Sequence, residues 1–219
     1  RQRVARASLT LASTSPVPTG VRDEAKTSWA MRLFIAVNLP AAVRDAIYAD
    51  AEPLRAATSA GRWVSPPSLH VTLEFLGEQE EALVGPLREA IESVAPRHAS
   101  VAVETTDIGA FPNFRRPRVV WVGMTSERAL QSLAGDIDRA LTPLGIPREA
   151  RAFQAHLTLG RVKGELVPAQ ATALAAAAKS CRGSRELAVR TVDLMQSELG
   201  PGGSRYLVLA AVPLHARGT

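Results

Sequence analysis

The sequence predicts a layered α+β or α/β protein with largely antiparallel sheets, arranged as two similar lobes. Two observations carry this expectation. Strand-like and helix-like stretches alternate at mixed spacing along the 219 residues. A four-residue pattern, His70-Val71-Thr72-Leu73, also returns late in the chain as His156-Leu157-Thr158-Leu159. Each half then holds a helix, a His/Thr strand and flanking strands, as an internal duplication would.

The elements follow in order. Residues 32–39 (RLFIAVNL) form an apolar, β-prone run. Pro40 opens a helix over 41 to about 57, at an early position where its missing N–H is tolerated. Pro53 kinks or ends that helix. Residues 62–64 give a short strand and Pro66-Pro67 a stop. Residues 69–76 are the first His/Thr strand, ended by Gly77. An amphipathic helix is expected over 80–94, with Gly85-Pro86 as an interruption. Strands over 100–108 and 119–124 are joined by GAFPNFRRPR. Residues 127–141 form a helix with Leu130, Leu133, Ile137 and Leu141 on one face. The second His/Thr strand covers 153–162, and an Ala-rich helix 169–179. Strands over 186–199 and 205–212 close the chain around Gly-Pro-Gly-Gly at 200–203.

The two His/Thr stretches alternate with period two, as half-buried strands do. Val71, Leu73 and Phe75 should therefore face a core, with His70 and Thr72 together on the opposite face. Thr158 stands beside His156 in the same way. Two such copies, each followed by Leu, should arise by accident well under about one time in a hundred. Two strands that each present a His and a Thr can frame one polar cleft.

Composition narrows the function classes. The net charge is +5, but residues 1–30 carry Arg1, Arg3, Arg6, Arg22 and Lys26 against Asp23 and Glu24, or +3 of it. Overall charge is thus a weak pointer to nucleic acid. Only Lys26, Lys163 and Lys179 are lysines, and Arg suits bidentate phosphate contacts. The single cysteine, Cys181, excludes a disulfide framework and a Cys-based metal site and fits a cytoplasmic location. No run reaches the length of a membrane span. Residues 1–30 are rich in Ser, Thr, Arg and Pro without periodicity and carry no secretory h-region. They read as a disordered extension, a misread start or an expression-derived segment, with the folded domain over 31–219.

Beyond the two short patterns, MRLFIAVNLP, SLHVTLEFLGE, GAFPNFRRPRVVWVGM, FQAHLTLGRV and SELGPGGSRYLVL stand in a characteristic order and spacing. In these segments the chain resembles the bacterial RNA 2′,3′-cyclic phosphodiesterases. These are also called 2′-5′ RNA ligases and belong to the two-histidine phosphoesterase superfamily. The resemblance covers Met31 to about Pro213. It implies an α+β fold of two pseudo-symmetric lobes with outer helices and an active-site cleft between them. Relatives usually carry Pro before the second motif His, where this chain has Ala155; no functional group is lost by that change.

Opening a 2′,3′-cyclic phosphate takes a base for water, an acid for the leaving ribose oxygen and donors for the phosphate oxygens. Two imidazoles can supply acid and base near neutral pH without a metal. The resemblance implies His70 as the proton donor, His156 as the base, and a 2′-phosphate product. It gives Thr72 and Thr158 as phosphate donors and Arg161 as a phosphate ligand. Strand parity alone would put Arg161 on the face opposite His156, unless Gly160 hosts a bulge. Phe34 either stacks on the nucleotide base or packs in the core. Tyr206 either reaches the cleft or packs in the core. Arg115, Arg116 and Arg118, beside Phe111 and Phe114, form either an RNA-backbone patch or a solvated loop. His98 and His215 stand outside any motif and read as surface residues. No cofactor or metal is expected. The expected partners are RNA ends with a 2′,3′-cyclic phosphate or 2′,3′-cyclic nucleotides, acted on by a monomer without a membrane. Reversible 2′-5′ ligation would use the same residues. A catalytically idle RNA- or nucleotide-binding module is disfavoured by the two intact His/Thr pairs.

Overall fold

The computed structural model describes residues 30–148, 152–181, 184–200 and 203–216. The extension expected over 1–30 lies outside them, apart from Ala30. The chain runs β1 (Ala30–Asn38), α1 (Ala41–Asp50), α2 (Glu52–Ala57), β2 (Gly61–Trp63), β3 (His70–Glu80), α3 (Val84–Val94), β4 (Val101–Phe111), β5 (Val119–Met124), α4 (Glu127–Leu141), β6 (His156–Val162), α5 (Pro168–Ser180), β7 (Glu186–Val189), β8 (Thr191–Gly200) and β9 (Gly203–Pro213).

The strands form one sheet in the order β7-β4-β5-β6-β3-β1-β8-β9, with β2 added on β6. The named strands pair antiparallel throughout. The order divides into two four-stranded halves that meet at β3 and β6, the two His/Thr strands. They pair at Val71 and Leu157 and then diverge. Beyond that point the free edge of β6 is taken by β2, which pairs Gly61–Trp63 with Val162–Gly160.

Helices cover the apolar face of this sheet. Leu33, Ile35, Val37, Val71, Leu73, Val120, Val122, Leu157 and Leu159 join the helix residues Leu87, Ile91, Leu130, Leu133, Ile137, Leu141 and Leu174 in one buried core. The apolar stripe expected on α4 is the face that is buried. Pro53 accompanies a break, because the chain bends at Ala51 and restarts as α2. Gly85-Pro86 sits in the first turn of α3, so it does not interrupt that helix.

Three expectations need correction. Gly77 does not end the first His/Thr strand. It takes a left-handed φ of 72°, open to glycine without strain, and β3 continues to Glu80. Residues 186–199 are not one strand. They break at Arg190 into β7, paired with β4, and β8, paired with β1 on the other half of the sheet. Phe75 does not face the core: it is 65% exposed, because an irregularity in the register of β3 precedes it.

Leu157 is fully buried and supplies half of the residue pair at which the two halves join. Leu157→Ala is expected to lower the unfolding free energy by about 2–5 kcal/mol, the range for a buried Leu truncated in a packed core. Val208, 54% exposed on β9, serves as the control. Denaturant unfolding of Leu157→Ala and Val208→Ala checks this, and equal losses would contradict the assigned role.

Candidate active site

A cleft of about 670 Å³ opens where β3 and β6 part, lined by His70, Thr72, His156, Thr158 and Arg161. His70 and Thr72 reach it from β3, and His156 and Thr158 from β6, because residues two apart on a strand share a face. Antiparallel pairing at Val71–Leu157 turns the two motifs head to tail around that pair.

Each imidazole is held in the same way. The Nδ1 of His70 lies 2.8 Å from the carbonyl oxygen of Ser68, and the Nδ1 of His156 lies 2.8 Å from that of Gln154. A carbonyl only accepts, so Nδ1 carries the hydrogen in both rings. Each neutral ring then has its lone pair on Nε2. The chain repeats this device two residues upstream of each motif His. A period-two pattern gives no signal for it, since any residue supplies a carbonyl.

Aromatic rings fix the imidazoles further. His70 packs on Phe34, with centroids 4.9 Å apart, and edge-on to Tyr206 at 5.0 Å. His156 packs edge-on to Phe111 at 5.2 Å, and Phe111 stacks on Trp121 at 5.0 Å. Phe34 is 3% exposed and sits with Ala36, Met195 and Tyr206 in a small buried cluster. Phe34 thus offers no free face for a base; it backs His70. Tyr206 lines the cleft. Next to this cluster, half-buried Asn38, paired with His70 on the strand register, donates from Nδ2 to the buried Asp193 Oδ2 at 2.7 Å.

The parity problem of Arg161 is resolved by a bulge. Trp121 pairs with Thr158, Val120 with Gly160 and Val119 with Arg161, so Leu159 is an extra residue in β6. Leu159 and Gly160 both turn to the core side, and Arg161 returns to the face of His156. Glycine is required at 160, since a Cβ there would stand 2.5 Å from the Trp63 ring.

The same bulge recurs in β3. Ala36 pairs with Thr72 and Ile35 with Glu74, which leaves Leu73 as the extra residue. It too is third after its His. Phe75 is then the positional counterpart of Arg161, fifth after the His and on the cleft face. It lines the cleft, where a strictly alternating strand would have buried it. Because the strands are antiparallel, Phe75 and Arg161 stand towards opposite ends of the cleft.

Among the described residues no group of three or more His, Cys, Asp or Glu could hold a metal ion. His98 is not a free surface residue: its Nε2 lies 2.8 Å from Asp136 Oδ2 on α4, away from the cleft, while His215 is exposed. No helix among the described residues is long and apolar enough to cross a membrane.

Comparisons with known proteins agree with the duplicated layout. The LigT-like phosphoesterase family model matches the chain twice, at residues 37–121 and 122–206. The chain is 36% identical over 176 residues to an RNA 2′,3′-cyclic phosphodiesterase of Archaeoglobus fulgidus, covering 80% of this chain and 96% of that one. It is 30% identical over 178 residues to the protein of that name from Methanothermobacter thermautotrophicus, covering 80% and 95%. The solved structure of TT0787 of Thermus thermophilus superimposes with a TM-score of 0.71 at 29% identity, covering 86% of this chain and all of that one. Escherichia coli LigT complexed with 3′-AMP gives 0.64 at 28% identity, covering 85% and 99%.

Burial holds the His70 imidazole below its ordinary value of 6.5, while the bond to the Ser68 carbonyl pulls the other way. Below 6.5 the unfolded chain takes up a proton that the folded chain still refuses. His70 therefore contributes stability that is fully present above 6.5 and is lost as pH falls through its lowered folded value. The unfolding free energy should drop more steeply on acidification below 6.5 in the wild type than in His70→Gln, as denaturant titrations at several pH values would record. Equal slopes would contradict the desolvated His70.

Proposed function

The chain belongs to the LigT-like phosphoesterase family, and from that membership and the cleft we infer that it hydrolyses the 2′,3′-cyclic phosphate ends of RNA. The observation that carries this reading is the pair of Nδ1-to-carbonyl bonds. Two imidazoles with the same tautomer, on two antiparallel strands, can each offer Nε2 to one phosphate.

In this reading His156 takes a proton from water through Nε2 as the water oxygen bonds to phosphorus. The bond from phosphorus to the ribose 3′ oxygen breaks, and His70 gives that oxygen a proton from Nε2. The product carries a 2′-phosphate and a free 3′-hydroxyl. His156 ends charged and His70 neutral, and exchange with solvent resets both. The Thr72 and Thr158 hydroxyls donate to the non-bridging oxygens, and Arg161 balances their charge. The depressed His70 pKa favours the neutral ring before substrate arrives. The incoming phosphate anion favours imidazolium, the form an acid needs, while the Arg161 guanidinium opposes it. Both transfers are made by imidazoles, so no step calls for a metal.

Phe75 is the exposed aromatic surface at the cleft end away from Arg161. It takes the terminal base by stacking, a contact of about 1–3 kcal/mol, and Phe75→Ala should raise KM for cyclic nucleotides more than it lowers kcat. A monomer is the expected unit, since both histidines come from one chain. The reducing cytoplasm suits its single Cys181.

The test is incubation with a nucleoside 2′,3′-cyclic phosphate in EDTA, with the product's phosphate position read by chromatography or 31P NMR. The 2′-phosphate is expected at an undiminished rate. His70→Ala and His156→Ala should each lose kcat by about 10²–10⁴-fold while remaining folded. Thr72→Ala and Thr158→Ala should lose about 10–10²-fold, the worth of one hydrogen bond to a charged group. A 3′-phosphate product, or activity that EDTA removes and a divalent cation restores, would overturn the reading.

A further inference from the structure

Arg62 on β2 stands directly opposite Arg161 on β6. Opposite residues on a ladder share a face, with Cβ atoms about 4.5–5.5 Å apart, and like charges so placed repel. Both side chains are exposed, and among the described residues neither has an acidic partner. Other described arginines, Arg97 and Arg128 among them, also lack an acidic partner; what is particular to Arg62 and Arg161 is that the two face each other across one ladder, and Arg161 lines the cleft. Two like charges held opposite each other on one face are a geometry that a bridging anion would stabilise.

The cationic surface continues. Phe111 and Val119 pair with each other and line the same cleft. The hairpin that leaves this pair carries Arg115 and Arg116, both exposed and without an acidic partner among the described residues. The hairpin is shaped, since Asn113 Oδ1 accepts the amides of Arg115 at 2.9 Å and Arg116 at 3.2 Å. The Arg118 amide closes it on the Phe111 carbonyl at 2.8 Å. At the opposite end, beyond Phe75, β3 runs out through Glu78, which is ion-paired with Arg32, to exposed Glu80 and Glu81. A polyanion laid along the cleft would be drawn to the Arg62 end and repelled from the Phe75 end.

We propose that Arg62, together with Arg115 and Arg116, holds the RNA backbone upstream of the cyclic phosphate, so that the site takes the 3′ ends of RNA chains in preference to cyclic mononucleotides. The terminal base then lies towards Phe75 and the chain leaves over β2 and the β4–β5 hairpin. This rests on the cyclic phosphodiesterase reading above.

The test compares kcat/KM for a trinucleotide ending in a 2′,3′-cyclic phosphate with that for the cyclic mononucleotide, in low and high salt. The wild type should favour the trinucleotide, and salt should erode the advantage. Arg62→Gln should cut the trinucleotide-to-mononucleotide ratio roughly 3- to 10-fold, as should Arg115→Gln/Arg116→Gln. A wild-type ratio near one, or a ratio that neither variant changes, would overturn the proposal while leaving hydrolysis of the mononucleotide intact. Binding of the same trinucleotide with a 3′-phosphate, followed by fluorescence anisotropy, reads the surface without turnover. There Arg62→Gln should reduce the slope of log affinity against log salt by about 0.7. An unchanged slope would overturn the proposal even if neither substrate were cleaved.

Discussion

The site depends on one point of strand pairing, Val71 against Leu157. Both residues are apolar and fully buried, so the contact is held by the core that the helices close over. One position to either side of that pair, the chain emerges on the other face as His70 and Thr72, or as His156 and Thr158. Burial of the two aliphatic residues therefore positions the four polar ones. Because side chains alternate along a strand, a slip of one residue would carry a whole motif to the core side and leave its imidazole in apolar surroundings. Register here is a chemical requirement as much as a packing one.

The duplication is preserved below the level of sequence identity. Each motif His has its Nδ1 bound to the carbonyl two residues upstream, and each motif strand has an extra residue three positions after the His. What differs is the side chain that the bulge turns into the cleft. One half offers Arg161, a charge suited to phosphate, and the other Phe75, an apolar face suited to a base. A symmetric frame thus gives an asymmetric site with a charged end and an aromatic end. The aromatic supports differ as well: Phe34 and Tyr206 come from β1 and β9, whereas Phe111 and Trp121 come from β4 and β5.

The parts that could be read from the sequence are those set by local periodicity. The two His/Thr strands and the buried stripe of α4 follow from spacings of two and of three to four. Features set by register between distant segments were not visible. Leu73 and Leu159 look like ordinary core positions, and only pairing with β1 and β5 makes each an extra residue. Strict alternation would bury Phe75, and Gly160 is the one local signal that Arg161 can turn. The break at Arg190 was hidden because both flanking runs are equally β-prone, although they pair with opposite halves of the sheet. Tyr206 reaches His70 from 136 positions away in the chain (206 less 70), a contact that no local pattern encodes.

The central claim is that two imidazoles of fixed tautomer address one phosphate. Nitrogen-15 NMR of the histidine side chains tests it most directly, in the free protein and during a titration with inorganic phosphate. In the free protein, the neutral form of each ring, His70 and His156, should show a protonated Nδ1 and an unprotonated Nε2. Added phosphate should move both Nε2 resonances along one binding curve. Opposite tautomers, or a response confined to one ring, would contradict the account.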